Sequence, residues 1–349
     1  MTLSRSHSLA CVLALSWLPS VAAAQATLRV AASIPDLGSL AQAVGGNRVH
    51  VDSLVRGPED PHFTQPRPSL VRTLAQADLL VVVGLELEAA WLQPLCDNAR
   101  NRKIARGGPG HVDASRAVTL RGVPAGRTDR SLGDVHPGGN PHYLSDPLCG
   151  LQVAKLIRDR LSEMLPDGKS AFRDNCDRFR RDLCTAMVGA ELARAYDYDA
   201  NTLGRLYELD QLDALLDEHG DGARLSGWFG ALRRHRGVAA VADHDLWPYF
   251  AARFAVRVRG FFEPRAGVAP TTRHLTEIVA LMRAEHIGVI LSSPYFSPQH
   301  AEFVAAKTGA RIARLAHQVG ARDGCADYLA TIDHNVRALL GAIGETGGR

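Results

Sequence analysis

The sequence predicts an α/β protein of two parallel-sheet lobes joined by a long rigid helix, with a metal site in the cleft between the lobes. Three observations carry this expectation. Strand and helix patterns alternate twice along the 349 residues, a charged helical stretch separates the two series, and four histidines fall in loops that face one cleft.

The first series opens with a short apolar strand at Leu28–Ala32 and a helix over Pro35–Val44, stopped by Gly45-Gly46. Val49–Val55 alternates as a second strand, Ser69–Gln76 reads as a helix, and Leu79–Val83 is a continuous apolar strand of the kind buried on both faces. Leu85–Asn98 reads as another helix. Gly107–Gly139 is rich in Gly, Pro and Arg and reads as a loop. After Pro147, Leu151, Ala154, Ile157, Leu161 and Leu165 recur at helical spacing until Pro166-Asp167-Gly168. Ser170–Ala195 then reads as one long charged helix with a narrow apolar stripe through Phe172, Phe179, Leu183 and Leu192, suited to a stiff connector.

Asp197–Arg236 is a polar elaboration. The second series places strands at Val238–Ala242, Val256–Phe262, Val289–Leu291 and Arg311–Leu315. Helices fall at Trp247–Phe254, Thr271–Glu285, Pro298–Thr308 and Tyr328–Ile343. The expected divisions are 1–26 as a signal segment, 27–167 as the first lobe, 168–196 as the connecting helix and 197–349 as the second lobe.

The N-terminus has the layout of a secretory signal. Arg5 supplies positive charge, Leu9–Val21 is mostly apolar, and Ala22-Ala23-Ala24 offers small residues, so cleavage is expected after Ala24 or Ala26. The apolar run falls short of the ~20 residues of a membrane span. Cys11 has Ser8 where a lipid-anchoring signal uses an aliphatic residue. The expectation is therefore a cleaved, periplasmic chain that is not embedded in the membrane. A formal charge of +3 without a concentrated basic run argues against a nucleic-acid partner. Cys96, Cys149, Cys176, Cys184 and Cys325 contain no CxxC pair. Cys176 and Cys184 stand about 12 Å apart along one helix, too far to bridge; an oxidising compartment allows a disulfide among the others, and buried thiols are expected for most.

His62 lies in GPEDPHFTQPRPS after the second strand, and His142 in NPHYLSDP before a helix. His244 follows a strand in ADHDLWPYF, and His317 follows a strand in LAHQVGA. Ligands of open parallel sheets sit beyond the carboxyl ends of strands, and four imidazoles suffice for a tetrahedral zinc ion. Pro61, Pro66 and Pro68 restrict the backbone beside His62. Asp60, Asp146 and Asp243 are near enough in sequence to orient an imidazole, although Asp146 before Pro147 also suits a helix N-cap. His136 shares the loop of His142 and stays a candidate. Glu88 and Glu263 are expected to support the site rather than bind. His274, His286, His300, His334, His219 and His235 fall on helices or polar stretches and are read as ordinary surface residues.

The segments DPHFTQPRPS, ADLLVVVGLELEAAWL, NPHYLSDP, HDLWPYFAARF and FFEPRAGVAPTTRHL, in this order from about Leu28 to Leu340, resemble the zinc/manganese cluster (A-I) of ABC-transporter solute-binding proteins. The resemblance implies a monomer that binds a metal ion between two α/β lobes and delivers it to the membrane permease of an importer. It implies His62, His142 and His244 as the first three ligands, with His317 standing where relatives commonly place an acid. Gly107–Gly139 departs from the His-rich acidic loop of many zinc-specific members, holding only His111 and His136. Zn²⁺ is the expected cargo, with Mn²⁺ second, because imidazole nitrogen suits zinc better than manganese. The competing readings are a manganese-specific binder of the same fold and a secreted zinc hydrolase. No HExxH or GxSxG motif supports an enzyme.

Overall fold

The computed structural model describes residues 26–124, 136–264 and 267–344. The expected signal segment lies outside them except for its last residue, and so does the middle of the 107–139 loop. Eight strands form two all-parallel four-stranded sheets. β1 (Leu28–Ala32), β2 (Val49–Ser53), β3 (Leu79–Val82) and β4 (His111–Asp113) build the first, in the order β2-β1-β3-β4. β5 (Ala239–Ala242), β6 (Arg257–Phe261), β7 (Val289–Ser292) and β8 (Arg311–Arg314) build the second, in the order β6-β5-β7-β8. The two sheets thus share one topology. In each, the strand order reverses beside the first strand, and this is where a parallel sheet leaves a crevice at its carboxyl edge.

Helices follow the strands as expected: α1 (Pro35–Gly45), α2 (Pro68–Gln76), α3 (Leu92–Ala99) and α4 (Pro147–Met164) in the first half. α10 (Pro248–Arg253), α11 (Thr272–Ala284), α12 (Pro298–Thr308) and α13 (Tyr328–Ile343) belong to the second. The polar elaboration folds into α7 (Ala200–Glu208), α8 (Leu212–Glu218) and α9 (Gly227–Leu232).

Three local expectations are corrected. The long connecting helix is present as α5 (Lys169–Val188) but ends short of Ala195: Gly189 adopts φ 88°, where a Cβ would stand 1.8 Å from the Ser226 hydroxyl, and α6 (Ala190–Ala195) follows. The helix expected from Leu85 starts only at Leu92. Gly84, Leu85 and Glu86 all have positive φ, a turn fixed by buried Glu88, which accepts hydrogen bonds from the Val83 and Gly84 amides at 2.7 and 3.2 Å. The 107–139 loop contains β4, paired in register with β3 through Val81↔Val112.

A single buried apolar cluster runs from Val30 and Leu80 in the first sheet through Leu151, Phe172 and Leu183 to Ala242 and Leu291 in the second. The lobes therefore share one core. The five described cysteines are free. No described helix is long and apolar enough to cross a membrane.

Candidate metal centre

The loop after β2 brings His62 into the cleft. Trp91 Nε1 donates to the Pro61 carbonyl at 2.9 Å inside the core, and the His62 amide donates to Asp60 Oδ1 at 2.9 Å. The same carboxylate oxygen meets His62 Nδ1 at 2.8 Å, directing Nε2 toward the cleft. Burial pushes Asp60 upward, but the hydrogen bonds and charge of His62 prevail and hold its carboxyl below the usual value.

His142 sits one turn ahead of α4. Its amide donates to Asn140 Oδ1 at 3.0 Å, closing a tight side-chain turn. This segment precedes α4 in the first half of the chain, yet the second half holds it. Asn140 donates to the Asp245 carbonyl at 2.7 Å, Tyr249 to the Asn140 carbonyl at 3.1 Å, and Tyr328 to the Leu144 carbonyl at 2.7 Å. Burial draws the His142 pKa well below that of free histidine, and the neighbouring histidines draw it further. Its Nε2 is buried without a hydrogen-bond partner among the described residues.

His244 follows β5, and its Nδ1 lies 2.7 Å from Glu263 Oε2. Glu263 therefore does the orienting for which Asp243 was one candidate. Asp243 instead accepts the Ser293 amide at 2.8 Å, and burial raises its pKa to about 6. Asp146 caps α4 through the Leu148 amide at 2.9 Å and pairs with Arg253, so it orients no imidazole.

His317 follows β8 and reaches the same cleft from the far side. It lines a small hollow with His142, Pro61, Leu87, Trp247 and Gln318. Its Nε2 donates to the Glu59 carbonyl at 3.1 Å, and its ring packs edge-on against Tyr295 with centroids 4.6 Å apart. Nδ1 then bears the lone pair. It is buried without a hydrogen-bond partner among the described residues. Burial lowers the pKa of this ring to about 4. Beside it, Gln318 Nε2 donates to the Arg56, Gly57 and Glu59 carbonyls at 2.9, 3.0 and 3.0 Å, strapping this loop to the one that carries His62. The backbones meet so closely that a Cβ on Gly57 would lie 2.2 Å from the Gly320 carbonyl.

The rings converge. Centroid separations are 5.2 Å for His62–His142 and 6.4 Å for His142–His244. His136, which sequence reasoning left as a lesser candidate, stands 5.4 Å from His62 and 6.5 Å from His142. Two imidazoles bound to one tetrahedral ion at ~2.0–2.1 Å per nitrogen have centroids about 5 Å apart. His62–His142 and His62–His136 have nearly that separation, whereas His136–His142 and His142–His244 are both wider by more than an ångström. As the side chains stand, no group of three or more His, Cys, Asp or Glu among the described residues has its donors gathered tightly enough to hold an ion. Ligation would need the rings of both lobes to draw in. Glu263 supports the site as expected, through His244, whereas Gln318 is a supporting residue that sequence reasoning missed, since no spacing pattern marks a strapping amide.

Two lobes with one sheet topology, a shared helical spine and histidines converging from both define a two-lobed metal-binding solute receptor. The chain belongs to the family described as ZnuA, zinc-uptake complex component A, periplasmic, whose model matches residues 30–187 and 184–342. It is 25% identical over 303 residues to the high-affinity zinc uptake system protein ZnuA of Yersinia pestis, covering 83% of each chain. It is 29% identical over 156 residues to the manganese-binding lipoprotein MntA of Halalkalibacterium halodurans, covering 45% of this chain and 46% of that one. A crystal structure of ZnuA superposes with a TM-score of 0.65 at 18% identity, over 90% of this chain and 99% of the other, a likeness of fold.

Proposed function

We propose that the chain is the periplasmic zinc receptor of an ABC importer. In this reading Zn²⁺ is cargo, held by His62, His142, His244 and His317 and handed by a monomer to the membrane permease. The lobes are 27–167 and 197–349, with 168–196 between them, and the exported form lacks residues 1–26. The observation that carries the reading is the convergence of the His62, His142 and His244 rings, with His317 across a small hollow from His142, and three of these four have their other nitrogen already tied. His62 is tied to Asp60, His244 to Glu263 and His317 to the Glu59 carbonyl. Such second partners fix the tautomer and aim the remaining lone pair at an ion.

Zinc is favoured over manganese because the convergent donors are nitrogens, while manganese prefers carboxylate, carbonyl and water oxygen. Asp60 and Glu263, the carboxylates touching the rings, are engaged in orienting them. That engagement also favours carriage over hydrolysis, which needs a carboxylate base beside a metal-bound water. The test is metal analysis of untagged protein purified without chelator, followed by competition between zinc and manganese. Zinc should copurify at one ion per chain and dominate the competition; a manganese preference at equal concentration overturns the choice of cargo. For the ligands, His317→Ala and His62→Ala should both weaken zinc binding strongly. Unchanged affinity and coordination in His317→Ala alone removes His317 from the set.

A further inference from the structure

We propose that the small hollow between the ligand loops binds a water molecule shared by Trp247, Gln318 and His317, and that this water competes with the metal for the His317 lone pair. The water site stands on the hollow itself, whereas the competition rests on the reading of His317 as a ligand.

The hydrogen-bonding directions of the three side chains are fixed. Gln318 is 1% exposed, and its Nε2 donates to the Arg56, Gly57 and Glu59 carbonyls. Those carbonyls only accept, so the amide cannot be turned over and its Oε1 is left as an acceptor on the other side. His317 is fixed in the same way, with Nε2 on the Glu59 carbonyl and the lone pair on Nδ1. Trp247 is 2% exposed, and its indole Nε1 can only donate. Gln318 Oε1, His317 Nδ1 and Trp247 Nε1 are all buried without a hydrogen-bond partner among the described residues.

The three residues line one hollow of about 30 Å³, walled with apolar surface by Ile34, Pro61, Leu87 and Leu246. A buried water needs about 10–15 Å³ and two to four polar partners. In this hollow it accepts from the indole and donates to the amide oxygen and the imidazole nitrogen, so one donor and two acceptors are satisfied together. No ion meets the same set. A cation would face the indole N–H, and an anion would face two lone pairs. Burying these groups unpaired is costly, and one water removes the cost for all three.

One lone pair cannot serve two partners. To bind His317, the metal must take Nδ1 from the water, and displacing an ordered water without replacing its bonds weakens binding. Trp247 and Gln318 are therefore positioning residues that set how readily His317 joins the site.

The first arm of the test is high-resolution X-ray diffraction from the metal-free full chain. It should show a water within hydrogen-bond distance of Trp247 Nε1, Gln318 Oε1 and His317 Nδ1; no density there overturns the proposal. The second arm is zinc affinity. A benzothienyl side chain in place of the Trp247 indole keeps the bicyclic shape and lacks the N–H, and Trp247→Phe accompanies it, with melting of the metal-free proteins as the control for folding. Both changes should loosen the water and tighten zinc binding about 5-fold, the worth of one hydrogen bond. Neither should change affinity in a His317→Ala background. Unchanged or weaker zinc binding in the benzothienyl protein, while His317→Ala weakens it, overturns the competition. If His317→Ala leaves zinc binding unchanged, the reading of His317 as a ligand falls and the competition with it, and the diffraction arm still decides the water site.

Discussion

Arg253 grips Asp146 through two parallel hydrogen bonds of 2.9 Å, with both side chains about 95% buried. The pair joins the end of α10 to the cap of α4, immediately after the segment that carries His142. Arg253 also reaches Glu208, at 3.1 Å, and the Gly204 carbonyl, at 2.5 Å, while Arg121 pairs with Glu208. His142 is thereby tied to the half of the molecule that contains His244. Arg253→Met should destabilise the protein by about 3–5 kcal/mol, because it strands a buried carboxylate. Arg253→Lys should not restore stability, because the two-pronged geometry is lost. Denaturant unfolding measures both.

Asp60 and Glu263 act through the imidazoles they hold. Asp60→Ala and Glu263→Ala should each lower zinc affinity by about 10–100-fold. The metal-free melting temperature should move much less. A loss of affinity that merely tracks a loss of stability would count against an orienting role, and a competition assay beside calorimetry separates the two.

Acid should destabilise the metal-free protein through its buried histidines. His317 has a folded pKa of about 4 against 6.5 for the free side chain, and His142 is lowered as well. Between those values the unfolded chain binds more protons, so stability falls as pH drops from about 6.5 toward about 4. His317→Gln should flatten that slope in urea titrations across the window. A slope identical to that of the parent protein would contradict a buried neutral ring.

Asp36 has the opposite sign. It is buried at the seam between the lobes and accepts the Val319 amide at 3.0 Å, and burial raises its pKa from 3.8 to about 7. Its native form holds a proton that the unfolded chain releases. The associated stability is full below pH 3.8 and is lost as pH rises through about 7. Asp36→Asn keeps an acceptor for Val319 and removes the ionisation. The melting temperature should rise by about 2 °C or more at pH 8, with little change at pH 5.

The strands were legible because buried parallel strands are runs of apolar residues, as at Leu79–Val82 and Val289–Ser292. β4 was not, because its three residues include only one apolar side chain, Val112, and its partner β3 supplies the pairing. The break at Gly189 lay inside an unbroken helical stripe, where only tertiary packing against Ser226 reveals it. In the site, His62, His244 and His317 were legible from their places after strands. The approach of His136 to His62 was not, since its hydrogen-bond partner is the carbonyl of Leu85, 51 residues earlier, in a turn whose sequence reads as helix. Glu263 was expected to support the site, but its pairing with His244 was hidden by distance, and Asp243, adjacent to His244, was the nearer guess.

The core shared by both sheets also bears on the design of fluorescent metal-ion sensors. Dyes fixed to α2 and α13, which both pack on that core, would ride on a single solid body, and their separation would change little when the ion arrives. A useful signal would come instead from a dye beside the ligand loops, near Phe63, which is exposed next to His62, or near His300, which lines a hollow with Glu263. There the environment changes as rings gather around the metal, so brightness or colour, rather than distance between labels, is the quantity to engineer.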